Sequence, residues 1–172
     1  MILTDLFNDK TLKPKEKTEF LSKSILDNKI KVDELIEFAN NSKDPVKATC
    51  IESLEFATKQ KPAILTKKAF QFVTDSLNAK ATRIKWESAK VIGNTAHLFK
   101  NNWEEPIKKL LDNSAHEGTV VRWSTAFSLG EIVKLKTNYN KILLPAIESI
   151  IVREGKNSIK KIYQDSIKKA TK

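Results

Sequence analysis

One cysteine in 172 residues excludes an internal disulfide framework and fits a reducing compartment. Four glycines and five prolines are too few for long turn-rich or disordered stretches. No apolar run reaches the roughly 18 residues that a membrane-spanning helix needs. The opening MILTDLFNDK has neither the basic nor the apolar region of a secretory signal. Together these absences predict a soluble, cytoplasmic protein. The two histidines, His97 and His116, have no Cys/His partners at metal-ligand spacing, so no metal site is expected. There is no Gly-rich phosphate loop, no Gly-x-Ser-x-Gly and no paired His–Glu motif. No catalytic residue and no cofactor site is assigned, and the chain reads as a non-enzyme.

What is present is a repeat. Val46-Lys47, Ile84-Lys85, Val121-Arg122 and Ile159-Lys160 are one dipeptide type, spaced 38, 37 and 38 residues apart. Two residues before each β-branched position stand Asp44, Thr82, Thr119 and Asn157. Eight residues after it stand Leu54, Ile92, Leu129 and Ile167. A fixed period of this length marks stacked repeats rather than a compact enzyme fold.

Each repeat reads as two helices. Apolar residues recur at helical spacing, as in Ile84, Ala89, Ile92 and Ala96. The Asp44, Thr82, Thr119, Asn157 column contains only favoured N-cap residues, and Pro45 fits a first helical position. Second helices are therefore predicted to begin near 45, 83, 120 and 158. First helices are predicted over 32–41, 62–78, 103–113 and 139–153. Residues 1–9 and 15–27 read as an extra helical cap, which a solenoid needs because a terminal repeat lacks a neighbour. Gly93 and Gly130 share one phase inside second helices and predict close helix packing there. The expected organisation is one repeat domain over 1–172: a cap (1–30) and repeats at about 31–60, 61–100, 101–136 and 137–172.

Arg83-Ile84-Lys85-Trp86-Glu87-Ser88-Ala89-Lys90-Val91-Ile92-Gly93 and Thr119-Val120-Val121-Arg122-Trp123-Ser124-Thr125-Ala126-Phe127-Ser128-Leu129-Gly130 resemble the second helix of HEAT repeats. That family favours a Val-Arg pair, then a small residue, then Leu-Gly. The resemblance covers about residues 30–170. In the outer repeats Glu55 and Lys168 replace the Gly, and Lys161 replaces the aromatic residue. It implies an all-α, right-handed, armadillo-like α-solenoid of about four helix pairs, with second helices lining the concave face. It implies no single activity.

The net charge is +10 and unevenly spread. Residues 59–100 hold nine basic and two acidic side chains, and residues 156–172 hold six and one. Local excess of this kind attracts anions. Lys47, Lys85, Arg122 and Lys160 stand where a cation opposes the helix macrodipole. Two readings of that column stand open. One is an inter-repeat ladder onto Glu37, Asp75 and Asp112, of the kind that HEAT proteins build from Asp and Arg. The other is an anion-binding stripe that includes Arg83 and Lys90. Trp86 and Trp123 follow the central basic pair and either fill seams between helices or stack a ligand. Trp103 is expected as a partly exposed staple at the start of a first helix. Cys50 is expected as a small core residue, and the Lys-rich end of the chain as a capping helix.

The candidate binding residues are thus Arg83, Lys85, Trp86, Lys90, Arg122 and Trp123. The expected function is a non-enzymatic scaffold, monomeric, presenting a basic concave face to an acidic protein partner. The alternative is a solenoid that binds DNA or RNA. Its enzymatic extreme is similar to the HEAT-like alkylpurine DNA glycosylases, but Glu87, Glu104 and Glu105 match no motif of theirs. No membrane partner is expected.

Overall fold

A computed structural model describes residues 2–99 and 101–172, so Met1 of the expected cap and Lys100 of the basic stretch lie outside it. Among the described residues there are ten α-helices and no strand. They run α1 (Ile2–Asn8), α2 (Pro14–Leu26), α3 (Val32–Asn40), α4 (Asp44–Gln60), α5 (Lys67–Ser76), α6 (Thr82–Thr95), α7 (Glu104–Asn113), α8 (Thr119–Val133), α9 (Asn140–Arg153) and α10 (Asn157–Ala170). Short 3-10 turns over Pro62–Ile64 and Ala96–Leu98 complete the set, so the first helix predicted over 62–78 divides in two. No helix among the described residues is long and apolar enough to cross a membrane.

The expected cap is itself a helix pair, α1–α2, so five pairs stack. Even-numbered helices form one layer and odd-numbered helices the other. Neighbouring second helices touch along much of their length, whereas neighbouring first helices touch far less. That splay puts the second helices on the inner, concave side. Between the layers one apolar core runs from Leu3 to Tyr163. Each Leu or Ile fully buried there contributes about 1.5–3 kcal/mol, relative to leaving it exposed. Cys50 lies in this core, and burial pushes its thiol pKa up to about 12.

The predicted starts of the second helices fall one residue late, and the capping chemistry expected there is not made. Asp44, Thr82, Thr119 and Asn157 are the first helical residues, all exposed, and the flanking Lys43, Ala81, Gly118 and Lys156 give no side-chain cap. These helix starts lie at the exposed surface, where free N–H groups need no side-chain partner. Capping does occur elsewhere. Thr66 Oγ1 accepts the Ala69 N–H at 3.1 Å at the start of α5. Glu16 accepts the Lys13 N–H at 2.7 Å at the start of α2, where Pro14 opens the helix.

The glycine column marks close approach. A Cβ on Gly93 would drive into the Phe127 ring of α8, with Cδ1 at 2.7 Å. One on Gly130 would strike Ser166 of α10, whose Cβ stands at 3.2 Å. In α4 the same column holds Glu55, only 3% exposed, and the α4–α6 seam is accordingly ionic. In α10 it holds Lys168, which is exposed.

Candidate functional site

Three exposed or half-exposed apolar side chains follow one another along the solvent face of α8. Val120 is 51% exposed and Trp123 42%, and Trp123 stacks on Phe127 with ring centroids 6.2 Å apart. Their spacing of three and four residues puts them on one stripe of the helix. Gly93 makes room for the Phe127 ring against α6. The stripe is therefore an aromatic ridge seated on a helix seam.

Trp86 occupies the same phase one repeat earlier but is only part-exposed. Its indole N–H donates to Glu87 Oε1 at 3.0 Å. Its ring forms no stacked pair with Trp123 in the described structure; Trp123 pairs with Phe127 on its own helix. Beside Trp86 lies a buried ionic cluster. Glu87, 5% exposed, and Glu55 share Lys90, whose Nζ stands 3.5 Å from Glu87 and 3.7 Å from Glu55. Burial raises the Glu87 carboxyl pKa above its ordinary value; Lys90 and the Trp86 hydrogen bond oppose that shift, while Glu52 and Glu55 add to it. Arg83 is paired with Glu52 of α4.

Two members of the basic column, Lys85 and Arg122, form rungs between repeats, with acceptors other than those the spacing predicted. Lys85 Nζ donates to the Leu77 carbonyl at 3.1 Å and to Asn113 Oδ1 at 3.0 Å. Burial lowers the pKa of its ammonium, and nearby Asp112 partly offsets this. Arg122 Nε donates to Glu154 Oε2 at 3.0 Å, and its Nη1 donates to the carbonyls of His116 and Glu117 at 3.0 and 2.9 Å. Burial opposes ionisation of Glu154, but the Arg122 hydrogen bond and the Lys156 N–H outweigh it and hold the carboxyl below its usual range. Asp75 instead pairs with Lys109 at 3.7 Å, and neither Asp112 nor Glu37 forms an ion pair among the described residues. Each closed rung ties a cation at the start of a second helix to carbonyls just after its own first helix, and to the first-helix end of the next repeat.

The six sequence candidates thus part company. Arg83, Trp86 and Lys90 lie together on the α4–α6 seam, held by carboxylates of the chain. Lys85 and Arg122 lie at the turn edge and close rungs. Trp123 alone stands well exposed. Phe127 and Val120 were not singled out, although their spacing from Trp123 is the signal that could have found them. Trp103, expected to be partly exposed, is fully buried edge-on against Phe70 at 5.4 Å. Glu104 and Glu105 are exposed on α7, a first helix, on the layer opposite the tryptophan ridge. His97 is exposed, and His116 Nδ1 accepts the Gly118 N–H at 2.8 Å.

Neither a protein-family profile nor a curated protein sequence matches the chain. Solved structures do. A designed armadillo repeat protein, YIII(Dq.V1)4CPAF in complex with peptide (KR)4, is 14% identical, with a TM-score of 0.72 over 98% of this chain and 80% of that one. Computationally designed armadillo repeat proteins for modular peptide recognition are 12% identical, with a TM-score of 0.70 over 97% and 80%. An engineered protein is 14% identical, with a TM-score of 0.74 over 98% and 77%. At these identities the likeness is one of fold: the chain is an all-helical, armadillo-like repeat solenoid.

Proposed function

We propose that the chain is a non-enzymatic scaffold that binds an acidic protein segment across the second-helix face, with Trp123 as the anchor. One observation carries the reading. Trp123 stands 42% exposed on a rigid helix, stacked on Phe127 and flanked by Val120. Exposed aromatic groups on a rigid frame are the usual hot spots of protein interfaces. The peptide recognition named for the designed armadillo proteins supports a peptide-like partner. The net charge of +10 supports an acidic one, whereas Arg83, Lys85, Lys90 and Arg122 are engaged within the chain and supply little of that attraction. The same engagement ranks nucleic acid second, because phosphate contacts need free cations. The HEAT character proper rests on the Val-Arg and Leu-Gly patterning of α8 and the similar run in α6.

The test is selection from a random displayed peptide library against the folded protein and its Trp123→Ala variant. Enriched peptides are expected to be rich in Asp and Glu. They should bind the variant about 30-fold more weakly, the loss of a typical hot spot. Peptides with no acidic bias, or equal binding to both proteins, would overturn the reading. Anisotropy against duplex and single-stranded oligonucleotides is expected to show no dependence on Trp123.

A further inference from the structure

Lys47 has the phase of Lys85 and Arg122, but its rung is open. Among the described residues it forms no ion pair, and its side chain makes no hydrogen bond. Its Nζ instead lies over the Phe72 ring, 5.1 Å from the centroid. The residue of α5 that corresponds to Asn113 is Ser76, eight positions before the β-branched residue in each repeat. Ser76 is too short to bring an oxygen to the ammonium. A notch of about 550 Å³ remains between α3 and α5, lined by Lys47, Lys68, Asn40, Ser76 and Asn78 over Phe72.

We propose that this notch is a carboxylate-binding site, where an Asp or Glu side chain of a protein partner closes the Lys47 rung as Glu154 closes that of Arg122. Two lysines line the notch, and the amides of Asn40 and Asn78 add neutral donors. The carboxylate in its wall, Asp75, is committed elsewhere: it accepts from Gln71 Nε2 at 2.9 Å and pairs with Lys109. The ring beneath Lys47 holds an ammonium in place and gives it no oxygen. A carboxylate entering a part-buried notch is screened less than one on an open surface, so a single pair there is worth more. The inference rests on the partner being an acidic protein segment, and it places part of that segment's charge at the turn edge, away from Trp123.

Calorimetric titration with an end-blocked octaglutamate peptide tests it, using the parent, Lys47→Met, Ser76→Asn and Lys160→Met. Lys160→Met is the control, since Lys160 has the same phase on α10. Removing one partner of a part-buried charge pair is expected to weaken binding at least about tenfold in Lys47→Met. Lys160→Met is expected to bind as the parent does. Ser76→Asn supplies the missing amide oxygen from within the chain, so it should weaken the peptide and raise the melting temperature. It also reads the site if Lys47→Met fails to fold. Equal weakening by Lys47→Met and Lys160→Met would overturn the site in favour of diffuse attraction. An eight-nucleotide oligothymidylate that binds with the same Lys47 dependence would overturn the carboxylate in favour of phosphate. Octaglutamate binding lost in Trp123→Ala but kept in Lys47→Met would overturn the notch and leave the ridge standing. The reverse would retain the notch and remove the Trp123 anchor.

Discussion

A cation in the first turn of a helix faces the positive end of that helix's dipole, which costs some tenths of a kcal/mol. Lys85 and Arg122 accept that cost because each also meets carbonyl oxygens that follow its own first helix, where positive charge is favoured. Arg122 and Glu154 should be strongly coupled, since both are largely buried. Glu154→Gln is expected to lower stability at pH 7 by about 3 kcal/mol, the usual loss when a buried pair keeps one partner. Because the Glu154 pKa is depressed in the folded state, its contribution is present above the ordinary carboxyl pKa of about 4.3 and fades as pH falls below it. Glu87 has the opposite sign. Its folded pKa is raised, so the fold is favoured below about pH 4.3 and loses stability as pH rises through the folded pKa. Glu87→Gln keeps an acceptor for Trp86, and Lys90 keeps Glu55. Melting curves from pH 4 to 7 should show a higher midpoint for the variant at pH 7 and a difference that narrows toward pH 4. A variant less stable than the parent at pH 7 would mean that the Lys90 pair outweighs the burial. The sequence leaves a ladder and an anion-binding stripe both open; the structure closes rungs at Lys85 and Arg122, on acceptors the spacing does not show. Asn113 lies eight residues before the repeat's β-branched position and Glu154 five before, so no single column could expose them. The burial of Trp103 is not legible in its place at the head of a first helix, because that place says nothing of Phe70, against which it packs.

The starts of the second helices are legible to within one residue because four columns of the repeat agree on them, a support the first helices lack. The capping bonds were not made, because side chains one residue inside the helix do not reach the free N–H groups that an N-cap serves. The repeated glycines gave the true reason for their presence, close helix approach, and they differ in what they would tolerate. Alanine normally favours a helix interior over glycine by about 1 kcal/mol. At Gly130 the obstacle is Ser166, whose Oγ already bonds the Ile162 carbonyl at 2.8 Å and whose Cβ cannot swing aside. Gly130→Ala is therefore expected to destabilise by about 1–2 kcal/mol, as overpacked cores do. At Gly93 the obstacle is a part-exposed ring that can rotate outward. Gly93→Ala should leave chemical denaturation nearly unchanged but displace Phe127 and with it the Trp123 stack. Near-ultraviolet circular dichroism would report that displacement. Equal stability losses in the two variants would show that the Phe127 ring is as fixed as Ser166.

Over the whole molecule, folding divides the described residues of the basic stretch between the two layers. Its helices pack in different layers: Lys67 and Lys68 sit on α5 in one, while Arg83 and Lys90 sit on α6 in the other. Linear charge density survives folding only when one helix carries it, as α10 does. The glycine column has a further use: it makes the array extensible. Gly130 stands where Gly93 stands, so a second copy of residues 101–136 inserted after the first would meet Gly130 with another Phe127, as α6 now meets α8. The second copy's own Gly130 would then meet Ser166. Such a chain would be longer by one helix pair, or about 8–10 Å of inner face, and would carry two aromatic ridges side by side. Two contacts would lose charge: the first copy's Arg122 would face Asn113 instead of Glu154, and its Ser114 would face Ala115 instead of Arg153. A duplication of residues 31–60 has no such fit, because it would set Glu55 against Glu52 of the inserted copy, where Lys90 now stands. Growth by tandem duplication is thus open on one side of the ionic seam and closed on the other.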